Sequence, residues 1–275
     1  MRIRLIFYII FALFLLSCSK DKDIYTPTVK LDPYKIYKEG LDSFNKNQFF
    51  FASKKFSEAE INFISPSAAA KSAIMNSFSL YAINFYDEAE ESLNRYLKVY
   101  PADRYKIYAH YLLAIISYEQ IGEEKHDLKP LLDAKKKIDF FLVEYPNSEY
   151  AIDLNLKKDL VTNQFAAREL YIAKYYIKVQ KWVPAINRLK IIVKDYGRTV
   201  FIEEALHRLV EIHYHLGLED EANSFAAILG YNYNSSEWFK QSYKILNKNY
   251  NFKKQDKSQK DKTLFKKIID KIKIN

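Results

Sequence analysis

Between Pro33 and Asn247 the apolar residues recur three and four positions apart, the period of one helix face. Several segments share one plan. A first amphipathic helix carries a small residue at its crossing point, and a short turn follows. A second helix then has an alanine, an apolar residue four positions on and another three after that. Residues at i, i+4 and i+7 line one face, and the alanine lets a neighbouring helix approach closely. The first segment, about 33–65, has Gly40 on its first helix and Ala52, Phe56 and Ala59 on its second. The second, about 66–101, has Ala89, Leu93 and Tyr96. The third, about 102–146, has Ala114, then Ala134, Ile138 and Phe141, with a turn enlarged by "IGEEKHDLKPLLD". The fourth has Ala173 and Tyr176, then Ala185, Leu189 and Ile192. The fifth has Leu206, Leu209 and His213, then Ala222, Ala226 and Leu229. The anchoring alanines are 37, 45, 51 and 37 residues apart.

This plan resembles the tetratricopeptide (TPR) repeat, in five copies with intervals beyond the usual 34 residues. It predicts an all-α fold: a right-handed solenoid of five TPR-like helical hairpins, with a hollow suited to extended peptides or partner helices. Residues 151–180, "AIDLNLKKDLVTNQFAARELYIAKYYIKVQ", read as one long helix entering the fourth hairpin. Its apolar positions Leu156, Leu160, Val161, Phe165, Leu170 and Ala173 keep helical spacing. The bland alternative is an irregular helical bundle. Only 5 glycines serve the whole chain, which favours helices with short connections over strand-rich folds and phosphate loops.

The ends are different. Arg2 and Arg4 precede an unbroken apolar run, Leu5–Leu16, which as a helix spans about 18 Å, short of a bilayer core. This is signal-peptide anatomy. The run closes on "LLSC", which resembles a bacterial lipobox, so residues 1–17 are expected to be a lipoprotein signal peptide. Cys18, the single cysteine, is the expected lipidation site. Two or three acyl chains, at about 0.8 kcal/mol per buried CH₂, anchor stably where one does not. Ser19 in the next position implies, by likeness to other lipoproteins, the outer membrane. Residues 18–32 read as a flexible tether and 33–250 as the repeats.

Of the formal charge of +9, Arg2 and Arg4 supply two. Residues 253–273, with nine Lys against three Asp, supply six, so the body is nearly neutral. A nucleic-acid binder would carry its positive stripe on the folded part; no nucleic-acid partner is expected. The basic tail, 251–275, ends in "TLFKKIIDKIKIN", with Leu264, Phe265, Ile268, Ile269 and Ile272 on one side and lysines on the other. It reads as a short amphipathic helix for an anionic membrane or a partner helix, or as a frayed basic end.

From the third hairpin onward the likeness narrows. "FLVEYPNSEYAID", "LYIAKYYIKVQKWVPAINRLKIIVKDYGRT" and "YNYNSSEWFKQSYKIL" resemble the BamD (ComL) family of outer-membrane lipoproteins. The order of lipobox, linker, five repeats and "YP" exits agrees. In the first hairpin "FISPSA" stands in place of a "YP" exit, and "DYGRT" has Gly197 in place of proline. The resemblance implies a lipid-anchored subunit, on the periplasmic face of the outer membrane, of the barrel assembly machinery. It further implies that the C-terminal repeats bind BamA-type POTRA domains, alongside other assembly-complex lipoproteins, and that the N-terminal repeats meet unfolded β-barrel precursors. Arg188 in "KWVPAINRLK" is then the first partner-binding candidate, since a planar guanidinium suits a partly desolvated carboxylate; an ordinary solvated helix charge is the other reading. Asn187 and Trp182 are grouped with it, although Trp182 and Trp238 read first as aromatics filling hairpin crevices.

His207, Glu211 and His215, with Glu203 one turn earlier, tempt as a metal face. Consecutive turns rise about 5.4 Å, so one straight helix does not close a tetrahedral site, and a solvated helix face is the expectation. No phosphate loop and no nucleophile elbow is present, so neither cofactor nor catalytic residue is expected. Two other functions fit the pattern: a generic TPR lipoprotein scaffold of another envelope complex (pilus or division), and a helical peptidoglycan hydrolase.

Overall fold

A computed structural model describes residues 32–247, except Lys125. The signal peptide, Cys18, the tether and the basic tail lie outside the described residues. Eleven helices follow one another within them: α1 Pro33–Asn45, α2 Phe49–Asn62, α3 Pro66–Tyr81, α4 Tyr86–Val99, α5 Lys106–Glu119, α6 Lys129–Glu144, α7 Tyr150–Lys178, α8 Trp182–Asp195, α9 Ile202–His215, α10 Glu219–Tyr233 and α11 Glu237–Leu246. Among the described residues there is no strand. The all-α repeat of helical hairpins read from the sequence is the observed architecture. The chain divides into two compact units, one ending at Ser79 and the other starting at Leu80.

In the first unit Asp32 caps α1 by accepting the Tyr34 N–H at 3.0 Å, and Pro33 occupies the first turn, where no donor is missed. Gly40 is the crossing point. A Cβ there would lie 2.9 Å from the Phe56 ring, so any larger residue pushes α1 off α2. Phe56 is fully buried between Ala52 and Ala59, with Tyr37 and Phe44 packed on its ring at centroid distances of 5.3 and 6.4 Å.

The second unit holds α4 to α11. One core gathers Ala134, Ile138, Phe141, Leu154 and Val161; the next gathers Leu170, Ala173, Ala185, Leu189, Ile192 and Leu209. Helix α7, 29 residues and about 43 Å long, packs its N-terminal part against α5 and α6 and its C-terminal part against α8. It closes the third hairpin and opens the fourth, which accounts for the long interval between Ala134 and Ala185. Its apolar positions do not share one face. Val161, Leu170 and Ala173 are buried, whereas Leu156 and Leu160 are exposed.

Two backbone motifs repeat where the residues do not. The turns inside four hairpins place a left-handed residue two before the second helix: Asn47 (φ 59°), Asn84 (φ 60°), Gln180 (φ 55°) and Gly217 (φ 76°). In each, the next N–H donates five residues back: Gln48 to Ser43, Phe85 to Leu80, Lys181 to Tyr176 and Leu218 to His213, at 2.9–3.0 Å. This is the Schellman closure of a helix C-terminus. The exits between hairpins also match. Tyr100, Tyr145 and Tyr196 donate four residues back, and Asp103, Ser148 and Thr199 then donate to those tyrosines' carbonyls. Gly197 therefore serves the same turn as Pro101 and Pro146.

Two outcomes follow for stability. Gln180→Gly removes the cost of a side chain in the left-handed region and should stabilise by about 0.5–1 kcal/mol in urea denaturation, more than Asn84→Gly does. Phe141→Ala should cost about 3–5 kcal/mol in the same assay, whereas Val143→Ala, at a position 75% exposed, should stay within about 0.5 kcal/mol.

Candidate partner-binding face

Helix α8 buries Ala185, Leu189 and Ile192, the three positions its sequence marks as one face. That choice turns Asn187 and Val183, one turn apart, to solvent and leaves Arg188 half-buried at the border with α7. Arg188 Nη1 donates to both carboxylate oxygens of Glu169 on α7, at 3.1 and 3.3 Å. Among the described residues its other guanidinium nitrogens have no acceptor. With the guanidinium still partly in solvent, the pair is screened and contributes only about 1 kcal/mol to stability. It does orient the fork, so that the unused edge can take a second carboxylate in a planar geometry.

Trp182 sits elsewhere. It packs into the crevice with α9, its ring 4.9 Å from that of His215, against the core that contains Ala173 and Leu209. The structure thus puts Arg188 at the α7–α8 border, leaves its neighbour Asn187 in solvent and packs Trp182 against α9. The C-terminal half of α7 adds exposed Tyr171 and Tyr175, one turn apart, with Val179 a turn further. Sequence reading passed over these tyrosines because a tyrosine-rich chain makes any single one unremarkable.

The His207 face is corrected. The sequence suggested a solvated surface; His207 is 2% exposed. Helix α11 lies over it: Nδ1 is 2.9 Å from Ser242 Oγ, and the ring packs at a tilt against Trp238, centroids 5.1 Å apart. His207 Nε2 faces Glu211 at 3.5 Å, and Arg208 donates to Glu211 at 2.6 Å while lying over the Trp238 ring. Lys174 of α7 and Arg208 share Glu204, at 2.8 and 3.2 Å. Burial raises the Glu211 pKa, but hydrogen bonds and charges from His207 and Arg208 outweigh it and hold the carboxyl below the ordinary carboxylate range. These groups fasten α11 to α9. His215 turns to Trp182 instead. No group of three or more His, Cys, Asp or Glu among the described residues is arranged to hold a metal ion.

The first unit carries a different surface. Phe50 and Phe51 on α2, Ile61 near its end, Ile64 after it and Tyr34 on α1 are all exposed, and Lys54 lies 4.5 Å over the Phe50 ring.

Comparison with known proteins agrees on one family. Residues 30–228 match the profile of YfiO, described as an outer membrane lipoprotein. The outer membrane protein assembly factor BamD of Rickettsia prowazekii is 33% identical over 245 residues, covering 88% of this chain and 95% of that protein. BamD of Caulobacter vibrioides is 33% identical over 214 residues, covering 78% of this chain and 70% of its own length. Among solved structures, the type IV pilus biogenesis factor PilW aligns over 76% of this chain and 96% of its own, with 14% identity and a TM-score of 0.35, too low to carry an argument. The profile match over most of the repeats and the two relatives at 33% identity lead to one conclusion: the chain belongs to the YfiO family of outer membrane lipoproteins.

Proposed function

We propose that this protein is a non-enzymatic subunit of outer membrane protein assembly, acting by binding. The coarse role rests on its relatives, which are outer membrane protein assembly factors. The finer reading assigns its two units different partners. The α7–α8 border of the second unit, with Arg188 and Asn187, docks on POTRA domains of a BamA-type partner. The exposed Phe50–Phe51 surface of the first unit receives unfolded β-barrel precursors. A lipid on Cys18 holds the chain at the periplasmic face of the outer membrane, in company with other assembly lipoproteins. No helix among the described residues is long and apolar enough to cross a membrane.

The observation that supports the partner site best is the half-satisfied guanidinium. Glu169 fixes Arg188 through one nitrogen and leaves the remaining donors for an incoming acid. Truncating a charge whose partner is desolvated costs about 2–5 kcal/mol, far more than the surface pair with Glu169 contributes.

Three outcomes are expected. Arg188→Glu should abolish co-purification with the BamA-type partner while helical circular dichroism stays unchanged; retained co-purification removes Arg188 from the interface. Glu169→Gln should weaken it only several-fold, since the guanidinium loses its guide and not its charge. In the first unit, Phe51→Asp should lower affinity for a peptide matching the last strand of a β-barrel precursor by about tenfold, read by fluorescence anisotropy, with stability within about 0.5 kcal/mol of the parent.

A further inference from the structure

A groove of about 530 Å³ lies in the second unit, between the end of α5, the middle of α7 and the exit before α9. Its walls are apolar: Tyr118 and Ile121 on one side, Leu160 below, Val200 and Phe201 on the other. Leu160 is 52% exposed and Val200 79%. Beyond the groove, Leu156 and Ile152 share the Leu160 face of α7 at intervals of four and are exposed as well.

Both walls are tied down. Asn163 Oδ1 accepts the Val200 N–H at 3.1 Å, and Arg168 Nη1 donates to the carbonyls of Glu124 and His126 at 3.2 and 2.5 Å. An apolar groove with fixed walls loses little entropy when it is filled. Its rim is acidic. Glu119 lines it, and the adjoining cleft, which shares Ile121 and Gln164, carries Glu123, Glu124 and Asp127. Two cations nearby are engaged: Arg168 with the loop carbonyls, and Lys157, over the Tyr118 ring, with Asp153 at 2.7 Å.

We infer that this groove is the docking site of the chain's own C-terminal segment, residues 264–273. That segment has the complementary chemistry. Leu264, Phe265, Ile268, Ile269 and Ile272 form an apolar face, and Lys266, Lys267, Lys271 and Lys273 stand opposite the acidic rim. The mode is an amphipathic helix in an apolar groove, read through anchors three and four apart. Reach is sufficient. Trp238 and Phe239, at the start of α11, pack beside Ile202, and Tyr243 and Leu246, at its end, pack beside Val210 and Ala222. Helix α11 therefore finishes about 20 Å from Phe201, the length of α9. Residues 247–263, fully extended, span up to about 55 Å. The docked segment covers apolar surface that would otherwise stay wet.

The test uses the full chain, purified in detergent, with a photoreactive amino acid replacing Ile268. Irradiation should give crosslinks within the same molecule, mapped by mass spectrometry to residues 118–121, 156–164 or 200. Leu160→Asp, at an exposed position that should leave circular dichroism unchanged, should lower that yield about tenfold, and raising the salt should lower it further. Mixing isotopically light and heavy chains reports crosslinks between copies. Predominantly mixed-isotope products overturn the inference in favour of a dimer contact. Adducts with lipid in place of the internal ones, on adding phosphatidylglycerol vesicles, overturn it in favour of a membrane. No adduct to the groove in any condition overturns it outright.

Discussion

Close approach of two helix backbones at an alanine is the constraint from which the rest of this structure follows. Ala52, Ala89, Ala134, Ala185 and Ala222 are all fully buried, one on the second helix of each hairpin. A larger side chain at any of them would separate the helices and open a void beside the residue four positions on. Those residues, Phe56, Leu93, Ile138, Leu189 and Ala226, are themselves buried to within 1% of completely. At this separation dispersion contacts between side chains are dense, and loss of even one methylene is felt. The first hairpin adds Gly40 opposite Phe56, the tightest such approach in its unit.

The same packing decides what is left for binding. A helix that spends its alanine face on the core must turn other residues outward. In α8 that places Asn187 in solvent and Arg188 at the border, where Glu169 of α7 steadies it. In α7 the consequence is larger. Because this helix serves two hairpins in succession, its buried stripe follows the neighbours on one side, and Ile152, Leu156 and Leu160 are left as a second apolar stripe without a partner among the described helices. Binding surfaces of this kind come from apolar residues that the repeat geometry has no room to bury.

Helix α11 follows a different rule. Its only fully buried residue is a serine, Ser242, bonded to the imidazole of His207. The helix is fixed by a polar network from Lys174 through Glu204, Arg208 and Glu211 to His207, together with Trp238 and Phe239 lying on Ile202 and Leu206. Gly230 lets α10 come close: a Cβ there would sit 2.8 Å from the Phe239 ring. Directional bonds of this sort, closed at the buried His207–Ser242 pair, specify one docking geometry, whereas apolar packing alone tolerates sliding.

The helices and the anchoring alanines were legible in the sequence, because each depends on interactions within a few residues along the chain. Periodicity reports the angle between side chains on one helix, and that angle is fixed before any neighbour arrives. Three things were not legible. The left-handed turn residue recurs in place but not in kind, as Asn, Asn, Gln and Gly, since the backbone closure there needs a positive φ and not a particular side chain. The burial of His207 depends on a helix that begins thirty residues later. The exposure of Leu156 and Leu160 depends on where α5 and α6 come to rest. A sequence fixes which faces a helix has; only the packed chain decides which of them finds a partner, because burial belongs to the pair of surfaces and not to either one.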